Sequence, residues 1–496
     1  MTKQVNNFFK SPKVKASLEF FTKSYARMFL LIYLVFSIIG ALALKMPIAS
    51  KTPLKFVDTL LLSVSAMSTT GLSSINFADL TLFGQVVLIL IMEFGGMGIY
   101  MLFALFLTNS GSKIGVEQRV FLANEQNLPS LRGVIRTTKK VFYTLVLIQF
   151  IGVIFCTSYI YFAMPEFQEI SFTKALFYGV FLSVSLFMNA GFVPLPVDFP
   201  TLLANGHIVF FIGCAFLIFL GGLGYIPLIS LTDYIKAKVK KTDYRFSKIA
   251  KILFFAHVLL WIFGFVLLTS LEFNSPALAK LNGPQRLTAT FFTSISARSA
   301  GFSVIPQASL AREGSIIVMI ILMFIGASPN SAGGGVRTTT VVLIIAAIFS
   351  HIKSDTQTKL GKKMAFKEET VKKAFIVATA VALVLIISIF VVAVAEQNYF
   401  ESQLQIAKAS ALKGEHFQEP LAFSLKDIVF ELVSAFGLVG YSRGLTFGTK
   451  LLITKWAIIF MMFFGRVGPI TFLRAFSFKQ KVTQTYKISE IDLIIS

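Results

Sequence analysis

Four short polar turns hold the residues of this chain whose types and spacing could do chemistry. They are Ser68-Thr69-Thr70-Gly71-Leu72-Ser73, Asn189-Ala190-Gly191-Phe192, Arg298-Ser299-Ala300-Gly301-Phe302 and Gly437-Leu438-Val439-Gly440-Tyr441-Ser442. Each follows an apolar stretch and centres on a glycine, which lets a turn aim carbonyl oxygens through conformations that a Cβ resists. A ring of such oxygens can replace the water shell of a dehydrated monovalent cation without burying full negative charges. No carboxylate lies within any turn, which argues against a multivalent cation.

The elements that must position these turns follow from length. The runs before them, 56–67, 172–188, 286–297 and 425–436, fall short of the roughly 20 residues that cross a bilayer. They read as helices that enter the membrane and stop, each aiming the negative end of its macrodipole at the turn. Irregular backbone at that depth is tolerated only where it is buried or lines a watery path. After each turn an outgoing run carries a glycine cluster: Gly95-Gly96-Met97-Gly98, Gly221-Gly222-Leu223-Gly224, Gly326 with Gly333-Gly334-Gly335, and Gly465-Arg466-Val467-Gly468. One such cluster is explained by close helix packing. Four at a similar distance behind four turns imply equivalent units around a common axis.

Composition places those units in a membrane. Of 496 residues, 55% are hydrophobic and only 14% charged, against about 25% charged in soluble domains. Runs long enough to span fall at about 28–47, 80–107, 141–164, 207–231, 250–271, 314–349, 374–396 and 450–476, with a charged external loop expected at 397–424. The first lacks the cleavage site of a signal peptide. Net charge is +22, but most Lys and Arg gather in 1–27, 109–140, 232–251, 351–373 and 474–496, alternating with weakly basic loops. That pattern puts both termini in the cytoplasm and assigns the charge to topology and anionic lipid rather than nucleic acid. Cys156 and Cys214 lie in apolar runs and read as small core residues, not a disulfide. The expected architecture is an all-α membrane protein. Four covalently linked span–pore-helix–filter–span repeats, with eight transmembrane helices in all, surround a pseudo-fourfold pore. The segments are 1–27, 28–108, 109–231, 232–349, 350–476 and 477–496, the first and last being cytoplasmic.

In this order, the four turns resemble the filter loops of the Trk/Ktr/HKT potassium transporters, over about residues 28–476. With about 27 residues before the first span and no room for a further helix pair, the chain looks like the Ktr-type ion-translocating subunit. The resemblance implies potassium as the transported ion and a filter of Thr69, Thr70, Gly71, Asn189, Ala190, Gly191, Ser299, Ala300, Gly301, Leu438, Val439 and Gly440. It also implies frequent sodium dependence, a homodimer, and a cytosolic ring of nucleotide-binding (RCK/KTN-type) regulatory subunits. No strand–GxGxxG–helix unit occurs here, so the nucleotide fold would belong to a separate chain. Gly71 fits the potassium-preferring form of the filter; a sodium or non-selective cation pathway on the same fold is the alternative.

The run 314–349 is interrupted by Ala327-Ser328-Pro329-Asn330-Ser331-Ala332-Gly333-Gly334-Gly335, where Pro329 removes a helix hydrogen bond. In family terms this resembles an intramembrane loop that blocks the pore; alone, it could be a fixed kink. Arg466, an ionisable residue in the last run, is a candidate to hold that loop through carbonyl or hydroxyl contacts, unless it snorkels to the interface. Asp58 reads as a helix N-cap or first-turn carboxylate. Arg298 reads as a brace for the third turn, against Glu431 or a backbone carbonyl. Glu93 could bind sodium or brace a helix. The sequence shows no helix with Arg or Lys at every third position, as a voltage sensor requires, and its four units share one orientation, unlike inverted-repeat carriers. Its four scattered histidines give little support to a membrane enzyme.

Overall fold

The computed structural model describes residues 24–98, 101, 115, 119, 133–310, 312–354, 357–359, 364–412 and 421–476. The basic segments 1–23 and 477–496, and most of 102–132, lie outside them. Among the described residues the fold is helical, with β-structure confined to two isolated bridges.

Four incoming helices are long and apolar enough to span: α1 (Tyr25–Leu44), α4 (Val134–Phe162), α8 (Lys248–Glu272) and α12 (Glu368–Leu412). Each is followed by a short helix ending at a polar turn: α2 (Phe56–Ser68), α5 (Phe172–Phe187), α9 (Gly283–Ser296) and α13 (Leu425–Gly437). Their starts are set locally. Ser171 caps α5, and capping boxes at Asn282/Gln285 and Ser424/Asp427 begin α9 and α13, satisfying backbone donors that the helix leaves open. The Asn282 box, with Pro284 in the first turn, starts α9 three residues before the sequence reading placed it.

One contact fixes the short helices to the incoming ones and shows the repeat in side-chain detail. Ser63 Oγ donates to Ser37 O, Ser183 Oγ to Gln149 O and Ser294 Oγ to Trp261 O, each at 2.7 Å. Three residues further along each incoming helix stands a glycine, Gly40, Gly152 or Gly264, where a Cβ would come within about 2.5 Å of that same serine oxygen. The fourth unit has Leu432 at the serine position, buried in the apolar core.

The outgoing elements correct the expectation of continuous spans at 80–107, 207–231 and 450–476. α3 (Leu82–Met97) stops at Gly98. α6 (Ile208–Leu223) turns by 113° at Gly224 into α7 (Tyr225–Val239). α10 (Glu313–Ile325) stops at Gly326, and α11 (Thr338–Ile352) resumes after the loop. α14 (Leu452–Val467) turns by 98° at Gly468 into α15 (Pro469–Phe476). The four glycines have φ of 90°, 85°, 68° and 84°, a region closed to most L-residues. Among the described residues, four helices are long and apolar enough to span alone, and six if the two bent pairs are counted.

A second correction concerns 397–424. α12 continues as helix to Leu412, well past the expected end at 396, and residues 413–420 lie outside the described set. The stretch 397–412 holds no Gly or Pro, and Gln397 donates to Glu401 one turn on, so nothing local stops the helix.

Candidate functional site

The four turns meet at one place. A Cβ built on Gly71 would stand 2.7 Å from Ala190 O; on Gly191, 2.9 Å from Ala300 O; on Gly301, 2.0 Å from Val439 O; and on Gly440, 2.0 Å from Thr70 O. Each glycine therefore faces the carbonyl preceding the next turn's glycine, and the cycle closes on itself. All four glycines have positive φ, from 67° to 98°. The carbonyls of Thr70, Ala190, Ala300 and Val439 are thereby gathered around a common centre at the C-termini of four short helices.

Three turns share one construction. A non-glycine residue two positions before the glycine takes the left-handed conformation: Thr69 (φ 58°), Asn189 (φ 56°) and Leu438 (φ 53°). A serine six positions before the glycine then binds the turn from the helix. Ser65 Oγ accepts from Gly71 N (3.0 Å) and Ser434 Oγ from Gly440 N (3.1 Å), while Ser185 Oγ accepts from Phe192 N (3.0 Å). The third turn is one residue shorter, with Ser296 five positions before Gly301. It has no left-handed residue before its glycine, and the amides of Ser299, Ala300 and Gly301 all point at Ser296 O, at 3.2, 2.9 and 3.2 Å. These serines were absent from the sequence reading. The signal was present as Ser63-Val64-Ser65, Ser183-Val184-Ser185 and Ser294-Ile295-Ser296 at nearly constant distance from the glycine.

Directly beneath lies the loop between α10 and α11. A Cβ on Gly333 would collide with Ser299 Oγ, and one on Gly334 would reach Leu438 Cγ at 2.4 Å. Thr69 Oγ1 donates to Ala332 O at 3.0 Å. The loop thus touches three of the four turns. Ser331 Oγ bonds Ser328 O (2.6 Å), Ser328 N donates to Gly222 O (3.3 Å), and Tyr225 N donates to Asn330 O (3.1 Å). Pro329 O faces the break at Gly224, 2.4 Å from where a Cβ would sit, and Gly335 (φ 83°) returns the chain towards Gly326.

Three arginines hold this loop. Arg466, in the last turn of α14, donates to Ala332 O, Gly95 O and Tyr33 Oη, the last at 2.8 Å. Arg337 donates to Gly333 O and, at 3.4 Å, to Ser328 O. Arg298 sends Nη2 (2.8 Å) and Nε (3.2 Å) to Gly326 O, and Nη1 to His257 Nδ1 (2.7 Å) and His257 O (3.1 Å). Of the partners weighed for Arg298, the carbonyl is the one observed. Glu431 is elsewhere, buried and accepting from Ser442 Oγ (2.7 Å), Arg443 N (3.0 Å), Thr446 N (2.9 Å) and Thr446 Oγ1. Tyr33 and His257 were not picked out from the sequence, because a lone Tyr or His in an apolar run carries no pattern.

Asp58 lies in the first turn of α2 and pairs with Lys455 Nζ (2.6 Å) and Ser74 Oγ (2.8 Å). Glu93 accepts from Gln149 Nε2 at 2.6 Å, tying α3 to α4. Cys156 and Cys214 are buried and free. Beyond the loop, a cavity of about 630 Å³ is lined by Tyr33, Tyr225, Asn330, Arg337, Lys373 and Arg466, among others. The whole arrangement can do two things chemically: collect carbonyl oxygens around a desolvated cation, and obstruct the path behind it with a loop held by cationic side chains.

The family model of TrkH, described as a cation transport protein, matches residues 34–485. The Ktr system potassium uptake protein B of Bacillus subtilis is 29% identical over 92% of this chain and 93% of its own length. The potassium/sodium uptake protein NtpJ of Enterococcus hirae is 29% identical over 93% and 95%. Among solved structures, the potassium transporter TrkH from Vibrio parahaemolyticus superposes with a TM-score of 0.64 at 16% identity, covering 90% of this chain and 83% of that one. The last shows a shared fold. All are transport proteins rather than enzymes.

Proposed function

We propose that this chain, which belongs to the TrkH cation transport protein family, takes up potassium across a cytoplasmic membrane through its four turns. The observation that carries the reading is the closed cycle in which each turn's glycine faces its neighbour's carbonyl. Oxygens so gathered, at the negative ends of four short helices, replace the hydration of a monovalent ion. In this reading Thr69 to Gly71, Asn189 to Gly191, Ser299 to Gly301 and Leu438 to Gly440 are the filter. The loop Ser328-Pro329-Asn330-Ser331 with Gly333, Gly334 and Gly335 is the gate. Arg466 is its catch, and Asp58, Arg298 and Glu431 support the frame. The repeats run 28–108, 109–231, 232–349 and 350–476, with both termini cytoplasmic.

The name of the Bacillus subtilis relative, a component of a Ktr system, supports a separate partner chain. We take that partner to be a cytosolic nucleotide-binding ring acting on a homodimer. The name of the Enterococcus hirae relative supports a role for sodium, as co-ion or as a competing cargo.

The test is rubidium or potassium uptake in cells lacking their own high-affinity potassium uptake, with and without external sodium. Uptake that depends on this gene and loses potassium selectivity in Gly71→Ser supports the reading. Absence of uptake even with a Ktr-type regulatory subunit supplied would overturn it.

A further inference from the structure

The equivalence of the repeats exposes one place where the third unit departs from the fourth. Glu396 of α12 is buried, and its Oε1 accepts from Thr449 Oγ1 at 2.5 Å and from Thr454 Oγ1 at 2.6 Å. Thr449 lies nineteen residues before the break glycine Gly468, and Gln307 holds the same register before Gly326. Glu272, at the corresponding filter-side end of α8, is 1% exposed, yet among the described residues neither of its carboxylate oxygens has a hydrogen-bond partner.

Other buried side-chain atoms of the third unit also lack a partner among the described residues, among them oxygens of Ser275, Gln307 and Ser315. Ser275, whose amide donates to Glu272 O at 2.9 Å, has a buried and unpartnered Oγ. Gln307 uses its Nε2 on Ile305 O at 2.7 Å, and its Oε1 is buried without a partner. Ser315 Oγ is in the same state at the start of α10. That start packs on the end of α8, since a Cβ on Gly314 would lie 3.5 Å from Leu271 Cδ1. The fourth unit brings two hydroxyl donors to its glutamate. In the third, the carboxylate and these three oxygens, two of them hydroxyls able to donate or accept, stand without a partner among the described residues.

A buried carboxylate is retained only when paired, hydrogen-bonded or bound to a cation. The described residues contain no group of three or more His, Cys, Asp or Glu suited to a metal ion. One carboxylate with neutral oxygens balances a single positive charge, whereas a divalent ion would leave net charge in an apolar interior. We propose that Glu272, with oxygens from Ser275, Gln307 and Ser315, forms a monovalent-cation site off the axis of the four turns. Its residues lie outside the turns and the loop below them, so the site would bind an ion that is not in the conduction path. This does not depend on which ion the turns pass.

The experiment uses the purified full-length chain in detergent, with choline chloride holding ionic strength constant. Thermal unfolding is followed while sodium or potassium replaces choline, and equilibrium binding of radioactive sodium and rubidium is counted per chain. The expected result is one ion per chain lost in Glu272→Gln, with loss of the matching saturable rise in unfolding temperature. Glu396→Gln should keep both, and so should Gly71→Ser for the Glu272 component. The sodium and potassium arms identify which ion the site takes. Ser275→Ala, which keeps the carboxylate, should weaken the affinity about tenfold and covers the case in which Glu272→Gln does not fold. Unchanged stoichiometry and titration in Glu272→Gln, or in Ser275→Ala if the former cannot be purified, would overturn the proposal.

Discussion

The cycle of glycines sets a graded prediction, because the room at each position differs. A contact below 3.0 Å from a Cβ forces something to move, and here the obstacle is a backbone carbonyl of the next turn. Serine at Gly191 or Gly71 meets that carbonyl at 2.9 or 2.7 Å, so a displacement of a few tenths of an ångström admits it. Serine at Gly301 or Gly440 meets it at 2.0 Å and needs a shift of about an ångström or more. All four substitutions also place an L-residue at positive φ, costing roughly 1–2 kcal/mol. We expect Gly191→Ser and Gly71→Ser to assemble and transport while discriminating potassium from sodium about 5- to 30-fold less well, the equivalent of roughly 1–2 kcal/mol. Gly301→Ser and Gly440→Ser should lose most transport or fail to accumulate. The assay is rubidium uptake competed by sodium, normalised to protein in the membrane. Equal effects at all four positions, or the reverse order, would refute the reasoning that these carbonyls bound the path.

Arg466→Ala removes charge-assisted bonds to Ala332 O and Gly95 O, each worth roughly 1.5–3 kcal/mol; basal uptake without a regulator should rise at least tenfold, and unchanged flux would mean the loop is a fixed kink. Glu431→Gln turns one acceptor into a donor facing Arg443 N or Thr446 N; a loss of about 1–3 kcal/mol should lower the unfolding temperature without altering selectivity among the ions still transported. Ser183→Ala gives up the bond to Gln149 O and should cost about 1 kcal/mol, read as a modest fall in unfolding temperature. Outside the membrane, burial pushes the Glu166 carboxyl up, but the Asn205 amide and His207 outweigh it and hold it below its ordinary 4.5. A depressed carboxylate stabilises the fold above that ordinary value and loses the contribution as pH falls through the folded one. Thermal unfolding followed downward from pH 6 should therefore fall more steeply in the natural chain than in Glu166→Gln.

The sequence was legible where type and spacing repeat. The four turns and the short helices before them are announced by apolar runs too short to span that lead to a glycine, and the incoming spans by apolar runs long enough to cross. What could not be read was conformation at the glycine clusters. Gly98, Gly224 and Gly468 look like packing glycines in a string, and nothing local separates a glycine that admits a neighbour from one that reverses the chain. Partners of lone charged residues were equally hidden. Arg298 finds His257 of α8 and Gly326 at the break after α10, which share no pattern with it. The serines that bind the turns were available to inspection, since their distance from the glycine is fixed by the geometry of one helical turn and a loop. The missing residue in the third turn was available in the same way, as a spacing of five where the others have six.

That missing residue bears on how such a protein can be retuned. A tetramer of identical subunits must change all four walls of its pore whenever one codon changes. In the filter proposed above the four walls are written separately, and they already differ: three carry a left-handed residue before the glycine and one does not. Preference between ions can accordingly be adjusted a quarter at a time, with the other three walls holding the ring in place while one is rebuilt. The shorter third turn is also the one whose arginine holds Gly326 O at the start of the loop below, so if that loop is the gate proposed above, alterations there should register in opening as well as in choice of ion.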